Sequence, residues 1–181
     1  MLADDSALVD PRGNEHLLLL YGDESRRDQR VIQFINEGLK RNQLCIHATL
    51  DKNEKTLSKM ASDIIDYKTN LKNGNLLIPD ITHLYEAALR EDWRPFDDFA
   101  AAISFDAQSR SDKYIRIVGG CAPFLFQNKY LKQSIVLEDW VQRKPFNGSM
   151  LCPLRSSLFN EDPFKNYQKV YQRCHDKVII C

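Results

Sequence analysis

Apolar residues follow two patterns that alternate along the chain. Continuous apolar runs such as HLLLLY, 16–21, are typical of strands that are covered on both faces. In 27–41, apolar residues recur every three or four positions with charged residues between them, which predicts an amphipathic helix. The other predicted strands are QLCIHATL at 43–50, a short strand within 73–79, YIRIVGG at 114–120 and GSMLCPL at 148–154. The other predicted helices are 53–72, a helix begun by Pro95, 128–143 and about 162–177.

This alternation predicts an α/β fold in three layers, α/β/α, with helices on both faces of a mostly parallel central sheet. The length of 181 residues fits a single domain. The last residues, KVIIC, form either a sixth short strand or a packed tail. Ligands bind beyond the carboxyl ends of the strands in such sheets, so the site is expected in the loops that follow them. These loops are 22–28, 50–54, 119–127 and 152–160.

Composition narrows the classes of protein that fit. Lys+Arg and Asp+Glu both number 25, so nothing attracts the whole chain to nucleic acid or to an anionic membrane. The acidic start of the chain lacks the pattern of a secretion signal, and the longest apolar runs are far shorter than the ~20 residues of a membrane-spanning helix. The five cysteines include no CxxC pair, which argues against a disulfide scaffold or a zinc knuckle. A cytoplasmic protein with free thiols is expected.

The stretch YGDESRRDQ, 21–29, joins a predicted strand to a predicted helix, the setting of a phosphate-binding loop. The nucleotide-binding pattern GxxxxGK[ST] fails here, because Arg27, Asp28 and Gln29 stand in place of its second glycine, lysine and hydroxyl. The predicted strand 114–120 also ends in glycines instead of a magnesium-binding acid. Nucleotide hydrolysis is therefore not expected.

Two interpretations of this loop stay open. In one, Asp23 or Ser25 caps the helix, and Glu24 is favoured there by the helix dipole. In the other, the loop contacts a molecule that is not a nucleotide, and Arg26 or Arg27 binds an anionic group.

The histidines and cysteines carry no recognisable catalytic or metal-binding spacing. His16, His47, His83 and His175 show no HExxH pattern, so structural histidines are favoured and no metal is predicted. Two cysteines, Cys121 and Cys152, fall at or just past the carboxyl ends of predicted strands, where ligands bind. Buried thiols that act as small hydrophobes are favoured over a role in sensing or ligation.

Two further loops have the composition of a ligand site. GGCAPFLF, 119–126, combines glycines that permit close backbone approach with phenylalanines that line either an apolar pocket or the core. LCPLRSSLF places Arg155 beside two serines, either as the polar wall of a site or as a helix-entry loop. The nucleophile elbow GxSxG is absent.

The order of these features resembles a known family. HLLLLYGDESRRDQRVIQFINEGLKRNQLCIHATLD, ITHLYEAALREDWRPFDDFAAAI, YIRIVGG and MLCPL together resemble the MEDS domain, the sensory domain of methanogens and methylotrophs named with the repressor DcmR. The resemblance implies a RecA-like fold, similar to the clock ATPase KaiC, without a functional P-loop. It also implies sensing of small molecules, including one-carbon or hydrocarbon derivatives. Sensory examples are often joined to a DNA-binding or kinase module, and the sequence contains no segment that resembles one.

The leading hypothesis is a non-enzymatic sensory domain over 14–181, preceded by an N-terminal tail, 1–13. It would act in signal transduction or transcriptional regulation, bind an unknown small molecule and signal to a partner protein. The alternatives are a protein-interaction module with a vestigial pocket, a residual nucleotide-binding protein and a thiol-dependent enzyme. No cofactor, direct nucleic-acid partner or membrane partner is expected, and a homodimer stays open. The candidate ligand-binding residues are Gly22, Asp23, Glu24, Ser25, Arg26, Arg27, Gly119, Gly120, Cys121, Cys152 and Arg155.

Overall fold

The computed structural model describes residues 6–11, 13–50, 54–143 and 146–181. Within them, six strands form one sheet in the order β3-β2-β4-β5-β1-β6, and every neighbouring pair is parallel. The prediction of a mostly parallel α/β sheet is confirmed. The strands are β1 His16–Tyr21, β2 Leu44–Ala48, β3 Leu76–Leu77, β4 Ile115–Gly119, β5 Gly148–Arg155 and β6 Lys177–Ile180.

Helices cover both faces of this sheet. The helices are α1 Ser6–Val9, α2 Glu24–Lys40, α3 Glu54–Asp63, α4 Tyr67–Lys72, α5 Thr82–Leu89, α6 Arg94–Ser109, α7 Cys121–Gln127, α8 Leu131–Arg143 and α9 Gln168–Arg173. Two 3₁₀ segments, Ser156–Asn160 and Phe164–Tyr167, precede α9. No helix among the described residues is long and apolar enough to cross a membrane.

The side chains of β1 alternate between two hydrophobic cores. Leu17 and Leu19 face the core formed with α1, α2 and α3, where Phe34 is fully buried. Leu18 and Leu20 face the opposite core, which α7 and α9 help to form. Because both faces of β1 are covered, its four leucines are consecutive and its sequence shows no strand-like alternation.

The predicted helix 53–72 is interrupted, and α3 and α4 replace it. The turn between them places Asp66 in the left-handed region, with φ 46°. The Asn36 side chain stabilises this turn, because it accepts from the Ile65 N–H at 2.9 Å and donates to the Asp63 carbonyl at 2.9 Å. The helix is therefore interrupted at a point that depends on Asn36 of α2, and the hydrophobic period of residues 53–72 does not reveal it. Residues 51–53, within the expected loop 50–54, lie outside the described residues.

Other element boundaries differ from the predictions. Helix α5 lies in a polar stretch that was assigned no element, and α7 occupies most of the expected loop 119–127. Pro123 is tolerated in the first turn of α7, where backbone N–H groups lack helical partners in any case. The predicted helix 162–177 is reduced to α9, and KVIIC supplies strand β6 beside β1.

Helix α1, in the segment assigned to an N-terminal tail, packs on the core through Ala7 and Leu8. The buried guanidinium of Arg116 holds α1 in place: it donates hydrogen bonds to the carbonyls of Leu8 at 2.8 Å and Val9 at 3.0 Å. It also donates to the carbonyl of Phe34 at 3.1 Å and lies 5.0 Å from the centre of that ring. Arg116 therefore links α1 and α2 to β4.

Candidate functional site

An open cavity of about 380 Å³ lies at the carboxyl ends of β1, β2, β4 and β5, and we call it the strand-end cleft. The chain leaves β1 toward α2 on one face of the sheet and leaves β4 toward α7 on the other. Connections that diverge in this way, on either side of β5, open a crevice above the strand ends. The cleft is lined by Tyr21, Glu24, Arg27, Asp28, Val31, His47, Thr49, Leu50, Val118, Gly120, Pro123, Phe124, Gln127, Pro153 and Arg155.

Two guanidinium groups line the cleft, and each has an acidic partner. Arg27 donates from Nε and Nη2 to one Asp28 oxygen at 2.9 and 2.7 Å. Partial burial disfavours its charged form, but the bonds and attraction to Asp28 prevail and raise the pKa of Arg27. Arg155, at the end of β5, pairs with Glu24 at the start of α2. The charges in the cleft are therefore balanced pairwise.

The cleft also holds an unpaired hydroxyl. The Thr49 Oγ1 atom is buried and has no hydrogen-bond partner among the described residues. The backbone of Gly120 closes on this residue so tightly that a β-carbon there would lie 2.9 Å from Thr49 Cβ. Buried hydroxyls are normally hydrogen-bonded, so Thr49 is suited to a bound molecule.

The predicted site residues fall into three groups. Glu24, Arg27, Gly120 and Arg155 line the strand-end cleft. Gly119, Cys121 and Cys152 line a second, mostly apolar cavity of about 60 Å³ between the sheet and helices α5 to α8. The four that line neither cavity are exposed: Gly22, Asp23, Ser25 and Arg26.

Asp23 has the capping role that was one of the two interpretations of its loop. Its side chain accepts from the Arg26 N–H at 3.0 Å, at the first turn of α2. Cys152 lies inside β5, three residues before the strand ends at Arg155, and its side chain is on the face of the sheet where Glu138 of α8 lies. Its thiol therefore faces α8 and not the cleft.

His47 and Thr49, which also line the cleft, were not among the predicted site residues. The sequence contained one signal for them: they lie two positions apart near the end of the predicted strand 43–50, so both side chains are expected on the same face. Phe124, for which a pocket and the core were both left open, lines the cleft. Gln127 was missed as a wall residue, because only the helical geometry of α7 turns it toward the cleft.

Four buried polar side chains meet beneath the sheet, and we call them the buried tetrad: His16, Glu138, Cys152 and His175. The sequence favours structural roles for the histidines and predicts no metal, because they show no metal-binding spacing. Glu138 Oε2 lies 3.0 Å from His16 Nε2 and 3.4 Å from His175 Nε2. Burial disfavours ionisation of Glu138, but His175 and His16 prevail and hold the pKa of its carboxyl well below the usual range. Burial, then Glu138, raises the pKa of the Cys152 thiol well above its usual range.

A six-stranded parallel sheet covered by helices on both faces, with a cleft at its carboxyl edge, defines an α/β domain. The chain belongs to the MEDS family, the MEthanogen/methylotroph, DcmR Sensory domain, whose model matches residues 15–165. Membership implies a sensory role in signalling, which is consistent with a non-catalytic domain. No curated protein matches the chain.

Proposed function

We propose that this domain binds a small organic molecule in the strand-end cleft and signals its presence to a partner protein, without catalysing a reaction. The observation that carries the proposal is the cleft itself, with two guanidinium groups and an unpaired hydroxyl around one opening. Its volume of about 380 Å³ lies in the range of ~300–1,000 Å³ that is typical of small-molecule pockets.

The β1–α2 connection argues against a nucleotide as the ligand. Asp23 caps α2 at the position where a phosphate would bind the first amides of the helix. Arg27 and Asp28, which replace the second glycine and the lysine of the phosphate loop, bond to each other. This supports the view that the domain is a degenerate relative of RecA-like and KaiC-like ATPases.

The ion pair between Arg155 and Glu24 supports a molecule that carries a carboxylate. Both side chains are about half exposed, and pairs of this kind contribute only ~0–1 kcal/mol to stability. A ligand carboxylate can therefore replace Glu24 on the guanidinium at little cost. The Arg155–Glu24 pair joins β5 to the start of α2. When a ligand carboxylate replaces Glu24, this end of the helix is released, and that change is the signal to a partner.

A thermal-shift screen tests this proposal. Small aliphatic carboxylic acids, neutral alcohols and amines, and ATP with magnesium would each be added to the full chain. We expect carboxylic acids to raise the melting temperature, because a molecule that binds only the folded state stabilises it. Stabilisation by ATP with magnesium alone would contradict the proposal in favour of a residual nucleotide-binding protein. No stabilisation by any of these compounds would favour an interaction module with a vestigial pocket.

Two arginine variants locate the binding site. Arg155→Gln is expected to abolish the shift caused by a carboxylic acid, because it removes the charge that binds the carboxylate. Arg26→Gln is the matched control, since Arg26 is exposed on α2 and lies outside the cleft lining. Equal shifts in the two variants would refute the assignment to the cleft.

A further inference from the structure

The buried tetrad brings together four atoms that metals bind. The His16 Nε2 atom lies 3.0 Å from Glu138 Oε2 and 3.3 Å from Cys152 Sγ. The distance from Cys152 Sγ to Glu138 Oε2 is 3.8 Å, and all four donor atoms lie within 4.8 Å of one another. A zinc ion with bonds of about 2.0–2.3 Å separates its tetrahedral ligands by roughly 3.3–3.7 Å. The tetrad is therefore close to the dimensions of a tetrahedral site.

The outer ring nitrogens determine which atoms face the centre of the tetrad. His16 Nδ1 lies 2.8 Å from the Cys174 carbonyl, and His175 Nδ1 lies 2.8 Å from the Tyr171 carbonyl. A carbonyl only accepts hydrogen bonds, so each Nδ1 carries a proton and each neutral ring presents the lone pair of Nε2 to Glu138. Metal-binding histidines are oriented by the same contact between the outer N–H and a carbonyl.

Without a metal ion, no arrangement of protons pairs all the polar atoms of the buried tetrad and also balances their charge. If His16 alone is protonated, the Nε2 lone pair of His175 faces a carboxylate, and if His175 alone is protonated, the Nε2 lone pair of His16 has only the weak Cys152 thiol donor at 3.3 Å. If both are protonated, a net positive charge is buried. Glu138 Oε1 and His175 Nε2 are buried and have no hydrogen-bond partner within the part of the chain that the structure describes. A divalent ion satisfies all four donors, and its charge balances one carboxylate and one thiolate.

We propose that His16, Glu138, Cys152 and His175 bind one divalent transition-metal ion, with zinc the best fit to two imidazoles, a carboxylate and a thiolate. The Cys152 thiol loses its proton to solvent as the sulfur–metal bond forms, and no electron is transferred. The ligands come from β1, α8, β5 and the turn between α9 and β6. Four protein ligands fill the coordination sphere, so the ion holds the helical layer to the sheet and leaves no open position for catalysis.

A groove next to His16 supplies a route for the ion. It has a volume of about 280 Å³ and is lined by Asn14, Glu15, His16, Val141, Gln142, Arg143, Phe146 and Met150. Two of its residues, Val141 and Met150, also line the apolar cavity that reaches Glu138 and Cys152. The donors are thus buried but close to the surface.

Cobalt(II) gives a direct test on the full chain. After removal of metal with a chelator, we expect titration with CoCl₂ to produce a thiolate-to-cobalt absorption band and the strong visible bands of tetrahedral coordination. Both should saturate at one ion per chain, and ZnCl₂ should displace the cobalt and raise the melting temperature. No band and no stabilisation by cobalt, zinc, iron(II) or manganese would overturn the proposal.

Matched cysteine variants assign the ligand. Cys152→Ser should lose the thiolate band, whereas Cys121→Ser should keep it, because Cys121 is equally buried on the same face and lies outside the tetrad. An unchanged band in Cys152→Ser, or its loss in Cys121→Ser, would overturn the assignment. If Cys152→Ser does not fold, X-ray absorption of the zinc-loaded wild-type chain decides, because the proposal requires one sulfur and three nitrogen or oxygen neighbours.

Discussion

Replacement of Arg116 by methionine tests the link that Arg116 forms between α1, α2 and the sheet. The side chain is 1% exposed and donates to three main-chain carbonyls and to Gln43 Oε1 at 2.6 Å. Burial lowers the pKa of Arg116, but arginine stays charged at neutral pH. Methionine fills much of the same space and provides no donor.

The expected loss in the free energy of unfolding follows from the carbonyl groups that lose the Arg116 donor. The Leu8 carbonyl loses its donor, while the Val9 carbonyl keeps one from Arg41. An orphaned buried acceptor costs ~1–3 kcal/mol, and the other lost bonds to a charged donor add to this. Relief of the buried charge offsets part of the loss. We expect a net loss of about 2–4 kcal/mol in the free energy of unfolding, which lowers the melting temperature by roughly 10 °C at this chain length.

Two measurements check this expectation. Chemical denaturation gives the free energy, and hydrogen exchange of the Asp10 amide, which donates to the Ser6 carbonyl, reports whether α1 stays docked. Arg143→Met is the control: Arg143 is a surface arginine whose partner among the described residues is Asp139 of the same helix, so a change within ~0.5 kcal/mol is expected. An Arg116→Met chain with wild-type stability and wild-type exchange at α1 would refute the reasoning.

Three further predictions concern single residues. Gly38→Ala should destabilise the fold by ~1–3 kcal/mol, because the new β-carbon would lie 2.5 Å from Cys45 Sγ. Gly22→Ala is the control: a β-carbon at Gly22 would meet no atom within 4 Å, so thermal unfolding should be nearly unchanged. Asp23→Ala should cost ~0.5–2 kcal/mol in denaturant unfolding through loss of the α2 cap, and an unchanged midpoint would contradict the capping role. Iodoacetamide at pH 8 should label Cys45 far more slowly than Cys181. Burial raises the pKa of Cys45 to about 12, which leaves a thiolate fraction of only ~10⁻⁴ at this pH. Equal labelling rates in mass spectrometry would contradict this.

Sequence patterns were sufficient where a signal is local. The apolar run of β1, the period of α2 and the failed phosphate loop are each readable within about 15 residues, and the first two recur in the structure at nearly the predicted bounds. Helix α7 was missed because its apolar residues and glycines also suit a loop. Helix α5 was missed because its surroundings are polar.

The sequence by itself determined the α/β class, the absence of the GxxxxGK[ST] pattern and the edge of the sheet at which to look for a ligand. Only the tertiary structure decided which side chains share a site. His16 and His175 are 159 positions apart and still share one carboxylate, because β1 and β6 are neighbours in the sheet. Cys152 faces that carboxylate because strand register, and not distance along the chain, sets which face a side chain occupies. Arg155 reaches Glu24 for a related reason, since β5 lies next to β1 and both strands end at the same edge.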